Sequence, residues 1–280
     1  MEQKRVITIQ DISCVGRCSL TVALPIISAA GIETSILPTA ILSTHTGGFT
    51  GYTFRDLTDD IKPISEHWKT LGLKADALYT GYLGSREQLE LVEQLFSDFR
   101  EKTTIVLVDP AMADQGQLYP AFDLDFALGM RDLCAAADIV VPNITEATFM
   151  LEKPYPGSDY DQTYVEGLLR ELAELGPRQV VLTGVSFEVG KLGIAAYDKK
   201  TNRFEYYFRD HIEGYYHGTG DIYSSALLGA LLNDKPLIEA ASIAVDFTVA
   251  AIQRTFDADT DRKYGVDFEH VLPLYIKLLS

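Results

Sequence analysis

An aspartate follows two glycines in HGTGD at 217–221, directly before a run of small apolar residues. One interpretation is a helix that Asp221 helps to begin, with the small residues packing closely. The other is an anion site with its own base, because backbone N–H groups and the helix dipole converge at glycine-rich turns before helices. In that case Asp221 accepts a proton from an attacking hydroxyl. The amides of Gly218, Thr219 and Gly220 then stabilise charge on the transferring group.

Phosphoryl transfer is the chemistry that needs this pairing of a base with an anion-binding turn. It also needs Mg²⁺ to neutralise the nucleotide triphosphate. The turn lacks Gly-x-Gly-x-x-Gly and Walker spacing, and no Lys follows its glycines, which excludes an ordinary P-loop. Asp109 and Glu146 are the natural carboxylates for the metal, acting partly through water because Mg²⁺ keeps several waters in protein sites.

Short β-rich runs alternate with longer helical patterns along most of the chain. The extended runs lie at 5–10, 34–42, 76–83, 103–110, 137–143 and 178–184, and the helical patterns at 19–31, 86–99, 161–175 and from 219 onwards. This alternation predicts one α/β domain over residues 1–280, with a mostly parallel sheet and helices on both faces. Two alternating runs, 191–198 and 203–210, flank a KKTN turn and predict an antiparallel hairpin. Pro38 argues against a central strand over all of 34–42.

Polar residues follow several of these strands, where α/β sheets bind their ligands. They are Asp11, Asp109, Asn143, Glu146 and Thr183. Each has a structural explanation, since Asp and Asn begin helices and polar residues form turns. Because they follow four separate strands, their carboxylates, amide and hydroxyl together predict a site that handles a cation or phosphates.

The composition excludes several classes of function. The 280 residues include 24 Lys and Arg against 40 Asp and Glu, a formal net charge of −16. Such a charge repels phosphate backbones and anionic lipid, so neither nucleic acid nor a membrane surface is expected as a partner. The sequence shows no signal peptide and no apolar stretch of transmembrane length. Three cysteines, Cys14, Cys18 and Cys134, form no disulfide framework, which predicts a cytoplasmic protein with reduced thiols.

HGTGD and the small-residue helix after it resemble the signature of the ribokinase-like superfamily, and within it the pyridoxal kinases of vitamin B6 metabolism. The matching segments are STHTGG at 43–48, TGYLGS at 80–85, DPAMADQGQLY at 109–119, ADIVVPNITEA at 137–147, LTGV at 182–185 and GTGD at 218–221. The resemblance implies a three-layer ribokinase-like fold and ATP-dependent phosphorylation of the 5′-hydroxyl of pyridoxal, pyridoxine or pyridoxamine. It also implies Mg²⁺, a homodimer and, in some members, a monovalent cation.

The same resemblance assigns roles to individual residues. Asp221 is the base, and the three residues before it form the anion hole. The remaining positions divide between the nucleotide and the B6 ring. The nucleotide side comprises Asp109 and Glu146, which bind Mg–ATP, and Tyr119, Asn143 and Thr183. The ring side comprises Thr46 and Tyr82. His45 is either a structural histidine or a neighbour of the ring.

This chain departs from the familiar pyridoxal kinases at three positions. One is Thr44, in Ser43-Thr44-His45-Thr46, where they read Ser-Asn-His-Thr. Asp11 stands where they carry a serine that contacts the ring, and we hypothesise that it pairs with a protonated ring nitrogen or a vitamer amine. Val141 stands where some members have a threonine that helps to hold a monovalent cation.

Two alternatives remain at this stage. The first is a hydroxymethylpyrimidine kinase of thiamine synthesis, which shares the fold and the chemistry. Those enzymes tend to carry Gly-Gly-Ala-Gly after the first strand and cysteine after Gly-Thr-Gly. This chain has CVGRCSL at 14–20 after the first strand and Asp221 after Gly-Thr-Gly, which favours a B6 kinase. The second alternative is a relative that binds ligands without catalysis, which retention of Asp221 and of the metal-side carboxylates argues against.

Overall fold

The computed structural model describes residues 3–280. Within them the chain forms eleven strands: β1 (Arg5–Ser13), β2 (Glu33–Leu42), β3 (Phe54–Asp56), β4 (Ala77–Thr80), β5 (Ile105–Val108), β6 (Ala113–Asp114), β7 (Gln117–Leu118), β8 (Ile139–Val140), β9 (Gln179–Val185), β10 (Lys191–Asp198) and β11 (Arg203–Asp210). The α-helices are α1 (Leu20–Ala29), α2 (Thr58–Thr70), α3 (Arg86–Phe99), α4 (Leu124–Ala135), α5 (Ile144–Met150), α6 (Gln162–Leu175), α7 (Thr219–Leu232), α8 (Leu237–Asp257) and α9 (Leu272–Leu279).

Nine of these strands form one sheet in the order β11-β10-β9-β8-β5-β4-β1-β2-β3. The six strands from β9 to β2 are parallel. Only the edges are antiparallel, with β3 at one end and the β10–β11 pair at the other. All the parallel strands therefore point their carboxyl ends to the same edge of the sheet, which is where a ligand site is expected.

Successive side chains along the strands point to opposite faces of the sheet, which divides the core into two layers. Ile7 and Ile9 of β1 pack toward α2 to α6, whereas Val6 packs toward α1, α7, α8 and α9. The same alternation continues in β5 and β9. Helices therefore cover both faces of the sheet, and the predicted three-layer, mostly parallel α/β fold is confirmed.

One edge of the sheet contains the predicted antiparallel hairpin, and the strand next to the other edge contains Pro38. β10 and β11 pair from Lys191 opposite Asp210 to Asp198 opposite Arg203, so the predicted hairpin is present and extends the main sheet beyond β9. Pro38 lies inside β2, which runs unbroken across it. The expectation that Pro38 argues against a central strand over all of 34–42 agrees with this arrangement, because β3 pairs only with residues 40–42 of β2. The part of β2 that contains the proline therefore needs no N–H on that side.

Several short elements have weak sequence signals. The β6–β7 hairpin follows β5, and α5 begins directly after Asn143, whose side chain caps the helix by accepting a hydrogen bond from the Glu146 amide. The run at 137–143 narrows to the two residues of β8 because Pro142 ends the strand and α5 begins at once. Within residues 3–280, no helix has the length and apolar character needed to cross a membrane.

Candidate active site

Three acidic residues come together where the parallel strands meet the N-terminus of α7. Asp11, near the end of β1, is 4% exposed, and Asp109, directly after β5, is 7% exposed. Asp221 lies in the first turn of α7. Ser224 Oγ donates a 2.7 Å hydrogen bond to Asp109 Oδ2, which ties α7 to the end of β5. The structure therefore places the carboxylates predicted from separate strand ends around one helix N-terminus.

Gly218 begins α7 in the left-handed region, with φ 77° and ψ 2°. A Cβ atom on this residue would lie 2.0 Å from the carbonyl oxygen of Arg17, so both the conformation and the space require glycine. No side chain caps the helix here. Because the first N–H groups of a helix have no partner within it, those of Thr219 and Gly220 are free to bind an anion. A Cβ on Gly220 would lie 3.9 Å from Asp109 Oδ2, so the turn is next to the Asp109 carboxylate.

The electrostatic environment of Asp221 suits a base. The pKa of this carboxyl is raised to about 7, chiefly by burial and also by the nearby Asp109 and Asp11, although the backbone of Ser19 lowers it. A base is most effective when its pKa lies near the working pH. Asp221 is therefore able to take up a proton near neutrality and to release it again.

Asp109 and Glu146 form a second acidic pair, and its properties suit a cation. Burial raises the pKa of Asp109 to about 6, although the hydrogen bond from Ser224 lowers it. Burial and the charge of Asp109 raise the pKa of Glu146 well above its ordinary value. A cation between these carboxylates would lower both pKa values again, because an opposite charge favours the ionised form.

Glu146 has only part of its ligand capacity free. Its Oε1 accepts a 3.1 Å hydrogen bond from the amide of Met112, and its Oε2 accepts one of 2.8 Å from the amide of Asn143. Among the described residues, no three His, Cys, Asp or Glu side chains are grouped to hold a metal. The pair therefore fits Mg²⁺ that takes its other ligands from nucleotide phosphates and water, the usual arrangement for this ion.

The other nucleotide-side candidates surround Glu146. The side chain of Asn143 donates to the carbonyl of Ala113 at 2.8 Å and accepts from the amide of Glu146 at 2.9 Å, so it organises this corner. The amide of Thr183 donates to Pro142 at 2.9 Å, which holds β9 against the start of α5. Tyr119 follows the β6–β7 hairpin, and its pKa is raised by burial and by the charge of Glu146.

Two of the predicted ring-side residues, His45 and Tyr82, group around Asp11 in β1. Ser13 Oγ donates to Asp11 Oδ2 at 2.9 Å. Burial raises the pKa of Asp11, whereas the hydroxyls of Ser19 and Ser13 lower it, as would a positive charge on the nearby His45. Burial and, secondly, the charge of Asp11 raise the pKa of Tyr82 to about 12. Asp11, Tyr82 and His45 therefore share one electrostatic neighbourhood.

Both ring nitrogens of His45 are already in use. The amide of Gly47 donates to Nδ1 at 3.2 Å, so Nε2 carries the proton and donates to the carbonyl of Lys263 at 2.6 Å. Burial lowers the pKa of His45, which favours this neutral form. The geometry supports a structural histidine that joins the loop at 43–53 to the C-terminal segment. A hydrogen bond to substrate would require one of these two bonds to break.

Thr46 directly follows His45 and is the exposed member of the predicted ring-side residues. It is exposed in the loop at 43–53, and among residues 3–280 its hydroxyl makes no hydrogen bond. Its predicted contact with a ring would depend on how that loop lies when a ligand is bound.

The family model for phosphomethylpyrimidine kinase matches residues 27–265, which is most of the chain. The chain belongs to the phosphomethylpyrimidine kinase family. A Bacteroides thetaiotaomicron protein with a phosphomethylpyrimidine kinase name, solved in a crystal form with pyridoxal, is 36% identical. It superposes with a TM-score of 0.94 over 98% of this chain and 96% of that one. Pyridoxal kinase from Lactobacillus plantarum is 29% identical, with a TM-score of 0.91 and coverage of 99% and 98%.

Relatives of the family carry two kinds of kinase name. A Schizosaccharomyces pombe protein named as a hydroxymethylpyrimidine/phosphomethylpyrimidine kinase is 24% identical over 266 residues. The match covers 88% of this chain and 46% of that protein, so the chain spans about half of its length. The resemblance to pyridoxal kinases and the ribokinase-like fold are confirmed, and the chain is a kinase of this family. Because B6 and pyrimidine kinases both occur among the relatives, membership leaves the substrate open.

Two polar residues of this family member were not predicted from the sequence as part of the site. Ser224 is a small helix residue whose type predicts packing, yet its hydroxyl bonds Asp109. The available signal is its spacing, since a residue three positions after Asp221 lies on the same side of a helix. Ser19, buried directly before α1, lowers the pKa of both Asp11 and Asp221. Its sequence signal is weak, because serine before a helix predicts an ordinary cap.

Proposed function

We propose that the chain is an ATP-dependent kinase that phosphorylates the 5′-hydroxyl of pyridoxal, pyridoxine or pyridoxamine, with Asp221 as the base. The observation that carries this proposal is the Asp221 carboxylate, with its pKa near 7, in the uncapped first turn of α7. The 36% identical relative that was solved with pyridoxal supports a pyridine substrate.

The geometry supports an in-line transfer. The substrate hydroxyl lies between Asp221 and the γ-phosphate of ATP, and Asp221 accepts its proton as the oxygen attacks phosphorus. The bond from phosphorus to the bridging oxygen of ADP breaks as the new bond forms. The amides of Gly218, Thr219 and Gly220 stabilise charge on the transferring phosphoryl oxygens. When bound through Asp109 and Glu146, water and phosphate, Mg²⁺ supplies the neutralisation of the triphosphate.

Asp11 has the position and charge to recognise the B6 ring. It is a buried carboxylate whose charge raises the pKa of Tyr82, and in the sheet β4 separates its strand β1 from β5, which Asp109 follows. A buried carboxylate is stabilised by a partner of opposite charge. Asp11 therefore pairs with the protonated ring nitrogen or with the amine of pyridoxamine, while Tyr82 and Thr46 lie along the ring.

The proposal extends to the assembly. Residues 1–280 act as one kinase domain in the cytoplasm, and two copies form a homodimer. A group of exposed apolar side chains on α1, β2 and β3 gives the dimer a surface, comprising Leu24, Ile36, Ile41 and Phe54. Light scattering should give twice the 31.0 kDa mass of the chain. A monovalent cation near the nucleotide phosphates remains a prediction.

Two substitutions test the catalytic part. Asp221→Asn keeps the shape of the side chain but removes the base, so it should lower the formation of pyridoxal 5′-phosphate from pyridoxal and Mg–ATP by 100-fold or more, on the order expected for general base catalysis. The matched control is Asp159→Asn, at an exposed loop position. Equal activity of Asp221→Asn and wild type would contradict the assigned base. A wild type without ADP formation on any vitamer or on hydroxymethylpyrimidine would instead indicate a ligand-binding relative.

The second candidate substrate is hydroxymethylpyrimidine. It is favoured by the family model itself, which is described as phosphomethylpyrimidine kinase. The same base and anion turn would serve it, and the two substrates differ in what Asp11 contacts.

A further inference from the structure

Arg17 lies in the loop between β1 and α1, and its side chain reaches a segment near the end of the chain. Its Nε donates to both carboxylate oxygens of Glu269, at 2.7 Å and 3.0 Å. Its Nη2 forms an ion pair with Asp267 at 2.9 Å. The planar guanidinium suits two carboxylates at once, because its N–H groups form a rigid fork. Arg17 therefore joins parts of the chain that are 252 positions apart.

The two carboxylates are fixed in place by the burial of their neighbours. Val266 and Phe268 are 0% and 2% exposed and pack into the core layer that contains α7 and α8. Asp267 and Glu269 alternate with them in sequence and are more exposed. The amide of Asp267 also donates to Thr255 Oγ1 of α8 at 2.7 Å. The acidic residues that bind Arg17 are therefore anchored to the core.

The backbone of Arg17 packs directly against the anion turn. A Cβ atom on Gly218 would lie 2.0 Å from the Arg17 carbonyl oxygen, so the two backbones are in close contact. A Cβ atom on Gly265 would lie 2.8 Å from the same oxygen, and the amide of Arg17 donates to the carbonyl of Tyr264 at 2.9 Å. Arg17 therefore contacts both the anion turn and the segment that carries the two carboxylates.

The position of the anion turn matters because its amides act on the transferring phosphoryl group. Gly218 begins α7 with no side chain as a cap, so the amides of Thr219 and Gly220 take their direction from the backbone. Such donors stabilise a transition state only when they are aimed at the developing charge, and a misplacement of about 1 Å can cost on the order of 100-fold in rate. A contact that fixes the turn therefore contributes to the rate without touching the substrate.

We propose that Arg17 is a positioning residue for phosphoryl transfer. Its ion pairs with Asp267 and Glu269 hold the loop at 14–19 in place, and the Arg17 carbonyl then sets the position of Gly218 and of the amides that follow it. This inference rests on the proposed function of the anion turn. It gives a role to a segment that contains none of the predicted site residues.

Arg17→Met tests this role, because methionine keeps the apolar part of the side chain and removes both ion pairs. It should lower kcat for pyridoxal about tenfold and leave the KM for pyridoxal within about twofold, since the lost positioning acts on the transition state. The amides of residues 218–221 should also exchange with deuterated solvent faster than in wild type, because the turn has lost a fixed neighbour.

Arg100→Met is the matched control. Arg100 Nη2 pairs with Asp138 at 2.9 Å, and the Asp138 and Asp267 side chains have the same exposure of 14%. Arg100 follows α3 and Asp138 precedes β8, so this ion pair lies at the edge of the sheet opposite the site. The control should lower the melting temperature to a similar extent. It should leave kcat and the exchange of residues 218–221 unchanged.

The carboxylates provide a second route to the same test. Asp267→Asn together with Glu269→Gln keeps Arg17 and removes its charged partners, so this double variant should also lower kcat. In an Arg17→Met background the same two substitutions should have no further effect on kcat, because the ion pairs are already absent.

The measurements are steady-state kinetics, hydrogen exchange by mass spectrometry and thermal unfolding. Wild-type kcat in Arg17→Met, an equal loss in Arg100→Met, or a further loss in the triple variant would overturn the positioning role and leave the proposed function intact. Unchanged hydrogen exchange at residues 218–221 of Arg17→Met would do the same. A wild-type protein that phosphorylates neither pyridoxal nor hydroxymethylpyrimidine would overturn both.

Discussion

Removing the charge of Asp221 should stabilise the ligand-free fold while it abolishes catalysis. Burial raises the pKa of this carboxyl from its ordinary 3.8 to about 7 in the folded state. Between these two values the folded protein holds a proton that the unfolded chain has lost, so the stability of wild type falls as the pH rises through this window. Asparagine cannot ionise and does not carry this penalty.

The magnitude follows from the two pKa values. They differ by about 3, and each pKa unit corresponds to about 1.4 kcal/mol, so Asp221→Asn should raise the free energy of unfolding by up to about 4 kcal/mol. This is an upper limit, because the Asp221 side chain is only partly shielded from solvent. The gain in the free energy of unfolding should be nearly absent at pH 4. It should increase between pH 4 and pH 7 and reach its full size above pH 7.

Urea denaturation of wild type and Asp221→Asn from pH 4 to pH 8, without nucleotide or Mg²⁺, measures this difference. Asp159→Asn is the control, since an exposed carboxyl should give no comparable gain. The reasoning is refuted if Asp221→Asn is no more stable than wild type at pH 8. It is equally refuted if the difference between the two proteins is the same at pH 4 and pH 8.

Three further substitutions test other parts of the site. Asp11→Ser should change the order of kcat/KM among the three vitamers, with the largest loss for pyridoxamine, and an unchanged order would contradict its role in ring recognition. Ser224→Ala removes the 2.7 Å hydrogen bond to Asp109, worth about 1.5–3 kcal/mol for a charged acceptor, so the KM for Mg–ATP should rise at least about tenfold while the KM for the vitamer stays constant. Gly218→Ala should lower the free energy of unfolding by about 1–3 kcal/mol more than the control Gly31→Ala. Gly31 has the same left-handed φ, but the space around its Cβ position is open. Equal losses would show that the clash between a Cβ on residue 218 and the Arg17 carbonyl is unimportant.

The sequence predicts those parts of the fold that depend on local patterns. The buried runs of β5 and β9 are continuous and apolar, and the hairpin at 191–210 alternates in polarity, so both are recognisable without tertiary contacts. α2 has no such clear signal, because Pro63 lies inside it and few of its residues are buried. The extent of β2 depends on its neighbour β3, which local sequence does not reveal.

The same distinction applies to the site. Asp109 and Asn143 are predictable because they follow the ends of parallel strands, which meet at one edge of the sheet, whereas Thr183 lies inside β9, which runs two residues beyond it. The contact of Ser224 with Asp109 joins residues 115 positions apart, so it depends on how α7 packs against the sheet. Ser19 depends on a positive φ at a non-glycine residue, which residue type argues against.

The most direct test of the proposed function is a competition between substrates. Pyridoxal and hydroxymethylpyrimidine are supplied at equal concentration with limiting Mg–ATP, and the phosphorylated products are quantified by mass spectrometry. The product ratio then equals the ratio of the two kcat/KM values. We expect pyridoxal 5′-phosphate to exceed hydroxymethylpyrimidine phosphate by at least about tenfold, the discrimination that one charged contact from Asp11 provides. An excess of hydroxymethylpyrimidine phosphate would contradict the assignment of the chain as a B6 kinase.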